Sequence, residues 1–271
     1  MLSNITLGQY FPGTSFIHKL DPRTKILATL IYIIAIFFGD SALSYGILTG
    51  FALLVILLSS LPVLMVFKSV KPILIIVIFT LGIHMFTHPG EHVLWSWKFL
   101  VLTQEGLETG LKMSGRLLLL MLFSSILTFT TSPIVLTDGI ERLLRPFKCI
   151  GVPAHELAMM MTIALRFIPT LLEETDRIMK AQTSRGADFT SGNVLQNIKN
   201  MLPILVPLFI SAFRRADELA VAMEARCYRG GEGRTRMREL SYGARDMVAY
   251  VSVVLLFVGL AFMKWGGSCV L

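Results

Sequence analysis

Two arginines, Arg185 and Arg226, close segments that repeat one another. Asp176, Ala181 and Arg185 follow at steps of five and four, and Asp217, Ala222 and Arg226 repeat those steps. Each arginine sits where a helix should stop. Ser184-Arg185-Gly186 has glycine at the helix-stop position, and Ala225-Arg226-Cys227 is followed by Tyr228, Arg229, Gly230 and Gly231. A cation at a helix C-terminus is favourable by about 0.3 to 1 kcal/mol, which accounts for either arginine alone. Their duplication points further, to two equivalent plugs for two equivalent sockets. A guanidinium suits a plug because it stays charged and can grip a carboxylate through two parallel hydrogen bonds.

Other residue patterns lead away from catalysis. No Gly-x-x-x-x-Gly-Lys-Ser/Thr loop occurs, so the chain cannot cradle ATP in that way and any energy must come from partners. Arg229 to Arg234 is rich in glycine and positive charge but lacks the lysine spacing of a phosphate loop; it reads as a connector. His88-Pro89-Gly90-Glu91-His92 matches a metallopeptidase pattern. That chemistry needs both histidines on one helix face, and Pro89-Gly90 breaks the helix. Glu173-Glu174-Thr175-Asp176-Arg177 suggests a magnesium site, the basis of a rival reading as a membrane-embedded magnesium-dependent enzyme, but a second acidic cluster is missing and a solvated helix face is the simpler account. Cys149, Cys227 and Cys269 are scattered, without metal-ligand or disulfide spacing. No cofactor is implied.

The elements that carry these residues lie in an apolar chain. Of 271 residues 54% are hydrophobic and only 16% charged, with mean hydropathy +0.68. Soluble proteins carry about 25% charged residues, so this surplus must face lipid. The net charge of +7 then fits an anionic membrane surface rather than nucleic acid. Five spans are expected: Ile26 to Gly39 lengthened by Thr24 and Lys25, a span in the uncharged run Ser41 to Phe67 with Pro62 marking its end, Pro72 to Met85, Leu117 to Ser132 on a helix starting near Glu105, and Met247 to Met263. The first 25 residues are polar and basic and read as no cleavable leader. Basic residues at Lys19, Arg23 and Lys25, and at Lys68 and Lys71, place the N-terminus and the second loop inside, and the C-terminus outside.

From Pro133 to Ala244 the composition changes, with 15 Lys and Arg and 12 Asp and Glu, too many for lipid. The expected organisation is a four-span membrane region at 1–132, a cytoplasmic region at 133–244 and a last span at 245–271. The middle region reads as a short amphipathic helix, Val135 to Phe147, and two long ones, Ala154 to Thr183 and Val194 to Tyr228. In the second, Leu205, Leu208, Phe209, Ala212, Phe213, Ala216, Leu219, Ala220 and Met223 draw an apolar stripe that the first long helix is expected to cover. Ala212, Ala216 and Ala220 form a small-residue column suited to close helix approach. Met201 to Phe213 is apolar enough for a sixth, partial span. Pro169, Pro203 and Pro207 bend the two helices, as simple reshaping or as hinges.

Leu20-Asp21-Pro22-Arg23-Thr24-Lys25, Ser184-Arg185-Gly186 and Ala222-Met223-Glu224-Ala225-Arg226-Cys227-Tyr228-Arg229-Gly230-Gly231 together resemble the transmembrane T component of energy-coupling factor (ECF) transporters, EcfT. The likeness runs over essentially the whole chain. Gly8-Gln9-Tyr10, Pro12-Gly13 and Phe16-Ile17-His18-Lys19 resemble the shared form that serves several vitamins more than a dedicated cobalt or nickel form. The resemblance implies an all-α integral membrane protein of the bacterial plasma membrane with long crossed amphipathic coupling helices. It implies no catalysis of its own, and a role joining two ABC-type ATPases to a small substrate-binding membrane subunit, the S component. It also implies that two Ala-Arg-Gly-like motifs dock in the ATPases, with Ser184, Arg185 and Gly186 as one and Ala225, Arg226 and Cys227 as the other. Ser184 replaces alanine in the first motif and Cys227 replaces glycine in the second.

Overall fold

The computed structural model describes residues 10–87, 92–97, 100–187, 194–230 and 240–267. Their contacts divide them into two compact units, one within 141–239 and the other made of 8–140 with 240–271.

The larger unit is built from α1 (Pro22–Phe38), α2 (Ala42–Ser59), α3 (Val63–Thr87), a hairpin of β1 (Val93–Trp97) and β2 (Leu100–Thr103), α4 (Gln104–Thr130) and the last helix, Ala244–Gly267, called α8 below. Side-chain caps start the helices. Asp21 accepts from the Arg23 N–H with Pro22 in the first turn, Ser41 accepts from Ser44 N–H, and Thr103 accepts from Gly106 N–H. In the core Tyr32, fully buried, stacks on Phe123 with ring centroids 3.8 Å apart. Its hydroxyl donates to the Leu48 carbonyl at 3.0 Å, which meets the need of a buried phenol for a partner. Leu119, Leu256 and Leu260 close the same core. Leu57, Ile75, Phe79, Leu255 and Phe262 point outward, the surface that lipid requires. At Gly106 a Cβ would come within 3.0 Å of the His84 carbonyl, so glycine lets α4 approach the end of α3.

Helices α1 and α8 run side by side in the same direction. At one end the Asp21 N–H donates to Asp246 at 2.8 Å; at the other the Lys264 ammonium lies 3.0 Å from the Asp40 carboxylate and Phe38 meets Phe257 edge to face. The 17 residues of α1 cover about 26 Å of helix, close to the roughly 30 Å hydrocarbon thickness. Helix α4 ends beside the start of α1, where Lys25 Nζ donates to the Thr130 carbonyl. The chain therefore leaves α4 and returns to α8 at the same end of this unit, and an even number of crossings separates the two points.

Among the described residues five helices are long and apolar enough to cross a membrane: α2, α3, α4, α8 and the long helix Ala154–Ser184. The protein is a multi-pass membrane protein of helices. The 17-residue α1 falls just short of that set, and Ala154–Ser184 was expected outside it.

The second span ends before Pro62, as expected: α2 stops at Ser59, Ser60 adopts a left-handed conformation (φ 52°), and α3 starts at Val63, so Val63 to Phe67 belong to the third span. Pro72 does not begin the third span but lies inside α3, because a membrane helix tolerates a lost donor where neighbouring groups re-satisfy the backbone. The β hairpin had no periodicity to announce it.

The smaller unit holds the end of α5 (Pro133–Leu144), a 3-10 turn at Arg145–Ile150, and two long helices, α6 (Ala154–Ser184) and α7 (Val194–Ala225). The short helix expected to reach Phe147 ends at Leu144, because Pro146 has no N–H with which to extend it. Both long helices run unbroken through Pro169, Pro203 and Pro207.

Candidate functional site

Arg185 and Arg226 hold the same place in the same cap. Helix α6 ends at Ser184, Arg185 is its C-cap, and Gly186 is left-handed at φ 90°. The Ala187 N–H donates to the Gln182 carbonyl and the Gly186 N–H to the Thr183 carbonyl, each at 3.0 Å. Helix α7 ends at Ala225, and the residue after Arg226, Cys227, is left-handed at φ 57°. There the Tyr228 N–H donates to the Met223 carbonyl at 3.0 Å and the Cys227 N–H to the Glu224 carbonyl at 2.8 Å. Both are Schellman caps, residue for residue, at an offset of 41.

The departures from the family pattern are small in this geometry. The Ser184 hydroxyl turns back to donate to the Lys180 carbonyl at 3.0 Å, so the residue presents little more than alanine does. Cys227 occupies the left-handed position that glycine fills in α6, and the helix stops at the same point. Both arginines, Ser184, Gly186, Ala225 and Cys227 are exposed. Asp176 lines a shallow groove on α6 with Met179, Lys180, Thr183 and Ser184, leading toward the first arginine. Asp217 is exposed on α7.

The residues that join the two helices were missed as a pair. Arg215 Nη2 donates to Glu174 Oε2 at 2.6 Å. These positions are also 41 apart, so they are equivalent in the two helices, and each lies eleven residues before its arginine tip. Equivalent residues meet each other where an approximate two-fold axis passes. At 1.5 Å per residue each tip is then about 16 Å along its helix from the pair. Charges at three equivalent positions are inverted, Glu173, Glu174 and Arg177 against Arg214, Arg215 and Glu218. That inversion was legible in the sequence once the offset was applied. Glu174 is thus engaged by a guanidinium, not poised for magnesium.

The apolar stripe of α7 is not covered as expected. Leu208, Ala212, Arg215, Leu219 and Met223 are half-buried, whereas Phe209, Phe213, Ala216 and Ala220 are exposed. The face of α7 turned to α6 is rotated from the stripe because the ion pair, not the alanine column, sits at the contact. The pattern His88 to Glu91 lies outside the described residues; His92 donates its backbone N–H to Glu105 at 3.3 Å. Arg234 of the glycine-rich connector also lies outside them.

The family described as "Cobalt transport protein" (CbiQ) matches residues 13–237. A protein of Acidaminococcus fermentans named "Energy-coupling factor transporter transmembrane protein EcfT" is 68% identical over 98% of this chain and 99% of its own length. The chain belongs to the EcfT family. Proteins of the same name from Clostridium kluyveri and Bacillus subtilis are 56% and 46% identical over 99% and 97% of this chain, covering the whole of each relative. EcfT proteins are transmembrane components of transporters, so the paired tips belong to a transport protein.

Proposed function

We propose that this chain is the coupling subunit of an ECF-type ABC importer for vitamins or other micronutrients. Two arginine-tipped helices with identical caps, paired at equivalent positions, are the observation that carries the reading. Arg185 with Ser184 and Gly186 docks in one ABC-type ATPase, and Arg226 with Ala225 and Cys227 in a second. The chain catalyses nothing itself; ATP binding and hydrolysis move the ATPases, and the tips follow because their contacts differ between the two ATPase states. The exposed Phe209, Phe213, Ala216 and Ala220 of α7 supply an apolar face for a small substrate-binding membrane subunit. The excess of Lys and Arg at the N-terminus and at Lys68 and Lys71 supports an orientation in the bacterial plasma membrane with the N-terminus and residues 133–244 in the cytoplasm.

The family description names cobalt, which favours a second reading as a dedicated cobalt or nickel coupling subunit. The relatives' shared name carries no metal. Affinity purification from the native host, followed by uptake assays with radiolabelled riboflavin, folate, thiamine, biotin and cobalt, separates the two. Arg185→Ala with Arg226→Ala should weaken ATPase association by about 2 kcal/mol per tip, roughly thirtyfold, with membrane insertion intact. Wild-type association and uptake in that double variant would refute the docking assignment.

A further inference from the structure

We propose that Asp21, Arg23 and Lys25 form a clasp that holds both stretches of chain joining the membrane helices to residues 141–239. These are positioning residues for coupling, an inference that rests on the reading above.

The clasp is compact and buried. Asp21, Lys25 and Asp246 are 7%, 7% and 5% exposed. The Asp21 carboxylate receives Arg23 in a fork, Nε to Oδ1 at 3.0 Å and Nη2 to Oδ2 at 2.9 Å. Two carboxylates and two cations make the cluster neutral, which is how charges become tolerable away from water. Neighbours two positions apart on a helix point about 200° from each other, so one turn can reach both sides of α1. Lys25 takes one side, where Nζ donates to the carbonyls of His18 at 3.1 Å and of Thr130, the last residue of α4, at 3.0 Å. Arg23 takes the other, donating through Nη2 to the Leu240 carbonyl at 3.1 Å and lying 4.0 Å over the Tyr242 ring. Asp246 accepts from Asp21 N–H at 2.8 Å and from Gly243 N–H at 2.9 Å, fixing the start of α8.

The outgoing chain at Thr130 and the returning chain at Leu240 are therefore gripped by one helical turn. Most of these contacts go to backbone atoms, so the clasp holds the chain whatever its side chains. Displacement at the arginine tips can pass to the membrane helices along these two connections. A connection held at its root passes displacement on; one free to give absorbs it.

The test uses the whole complex, with its ATPases and substrate-binding subunit, in lipid vesicles, and the labelled vitamin or metal panel as probes. Arg23→Gln and Lys25→Met should assemble and hydrolyse ATP within about twofold of wild type, while uptake per ATP hydrolysed falls about tenfold, within the usual range of coupling between sites. Arg23→Lys, which keeps charge but loses the fork, should fall between. Should either variant fail to assemble, Tyr242→Leu decides, since it removes only the ring under Arg23 and should lower uptake per ATP about threefold. Unchanged uptake per ATP in the variants that assemble overturns the clasp. The Arg185→Ala and Arg226→Ala chain, measured alongside, keeps the two ideas apart: if it too is unaffected the coupling reading falls, and if it alone is defective only the clasp does.

Discussion

Single residues set how the arginines are presented. Gly186 and Cys227 both hold a left-handed position, which costs a residue with a side chain about 1 to 2 kcal/mol. Gly186→Val adds that cost in α6 and should fray the tip, with faster amide exchange over Arg185 to Ala187 and weaker ATPase association. Cys227→Gly removes it from α7 and should slow exchange over Arg226 to Tyr228. Hydrogen exchange read by mass spectrometry checks both, and wild-type exchange in the valine variant would sink the cap argument. The arginine positions and the glycine were legible in sequence, because helix stops have a composition. That a cysteine completes the same cap was not, since its side chain carries no preference for positive φ.

At the scale of elements, the α6 and α7 pair is registered by Glu174 and Arg215. Their side chains are 23% and 31% exposed, so water screens the bond and its worth is about 1 kcal/mol. Glu174→Arg or Arg215→Glu alone sets like charges against each other and should lower the thermal midpoint of the detergent-solubilised protein. The double exchange should recover most of that loss, and a double-mutant cycle on ATPase association measures the coupling. Additive losses would mean that the two residues do not pair. The apolar stripe of α7 was visible from periodicity, but its partner was not. Periodicity reports that a face is apolar, not which neighbour covers it, and a helix that serves a second protein shows the same stripe.

For the molecule as a whole, the parallel run of α1 and α8 fixes which chain segments share a side. Single cysteines replacing Ile134 and Ser241, in a chain freed of its own cysteines, should react with a membrane-impermeant thiol reagent from one face only. A cysteine replacing Asp40 should react from the other. Labelling of Ile134 and Ser241 from opposite faces would overturn the even count of crossings. Composition alone sufficed to place the chain in a membrane and to find most spans. It misjudged the start of the third span, set at Pro72, because proline is a weaker helix breaker in lipid than in water.

The sequence by itself determined the class of protein, the two arginine motifs and the change of composition near Pro133, since hydropathy, helix-stop residues and charge density act locally. Only the tertiary structure decided that Asp21, Arg23, Lys25 and Asp246 form one cluster, that Glu174 finds Arg215, and that Thr130 and Leu240 leave and return at one end. Those facts depend on contacts between residues 41, 105 and 225 positions apart. No local preference encodes such pairings; they arise when buried charges must find partners and apolar faces must pack.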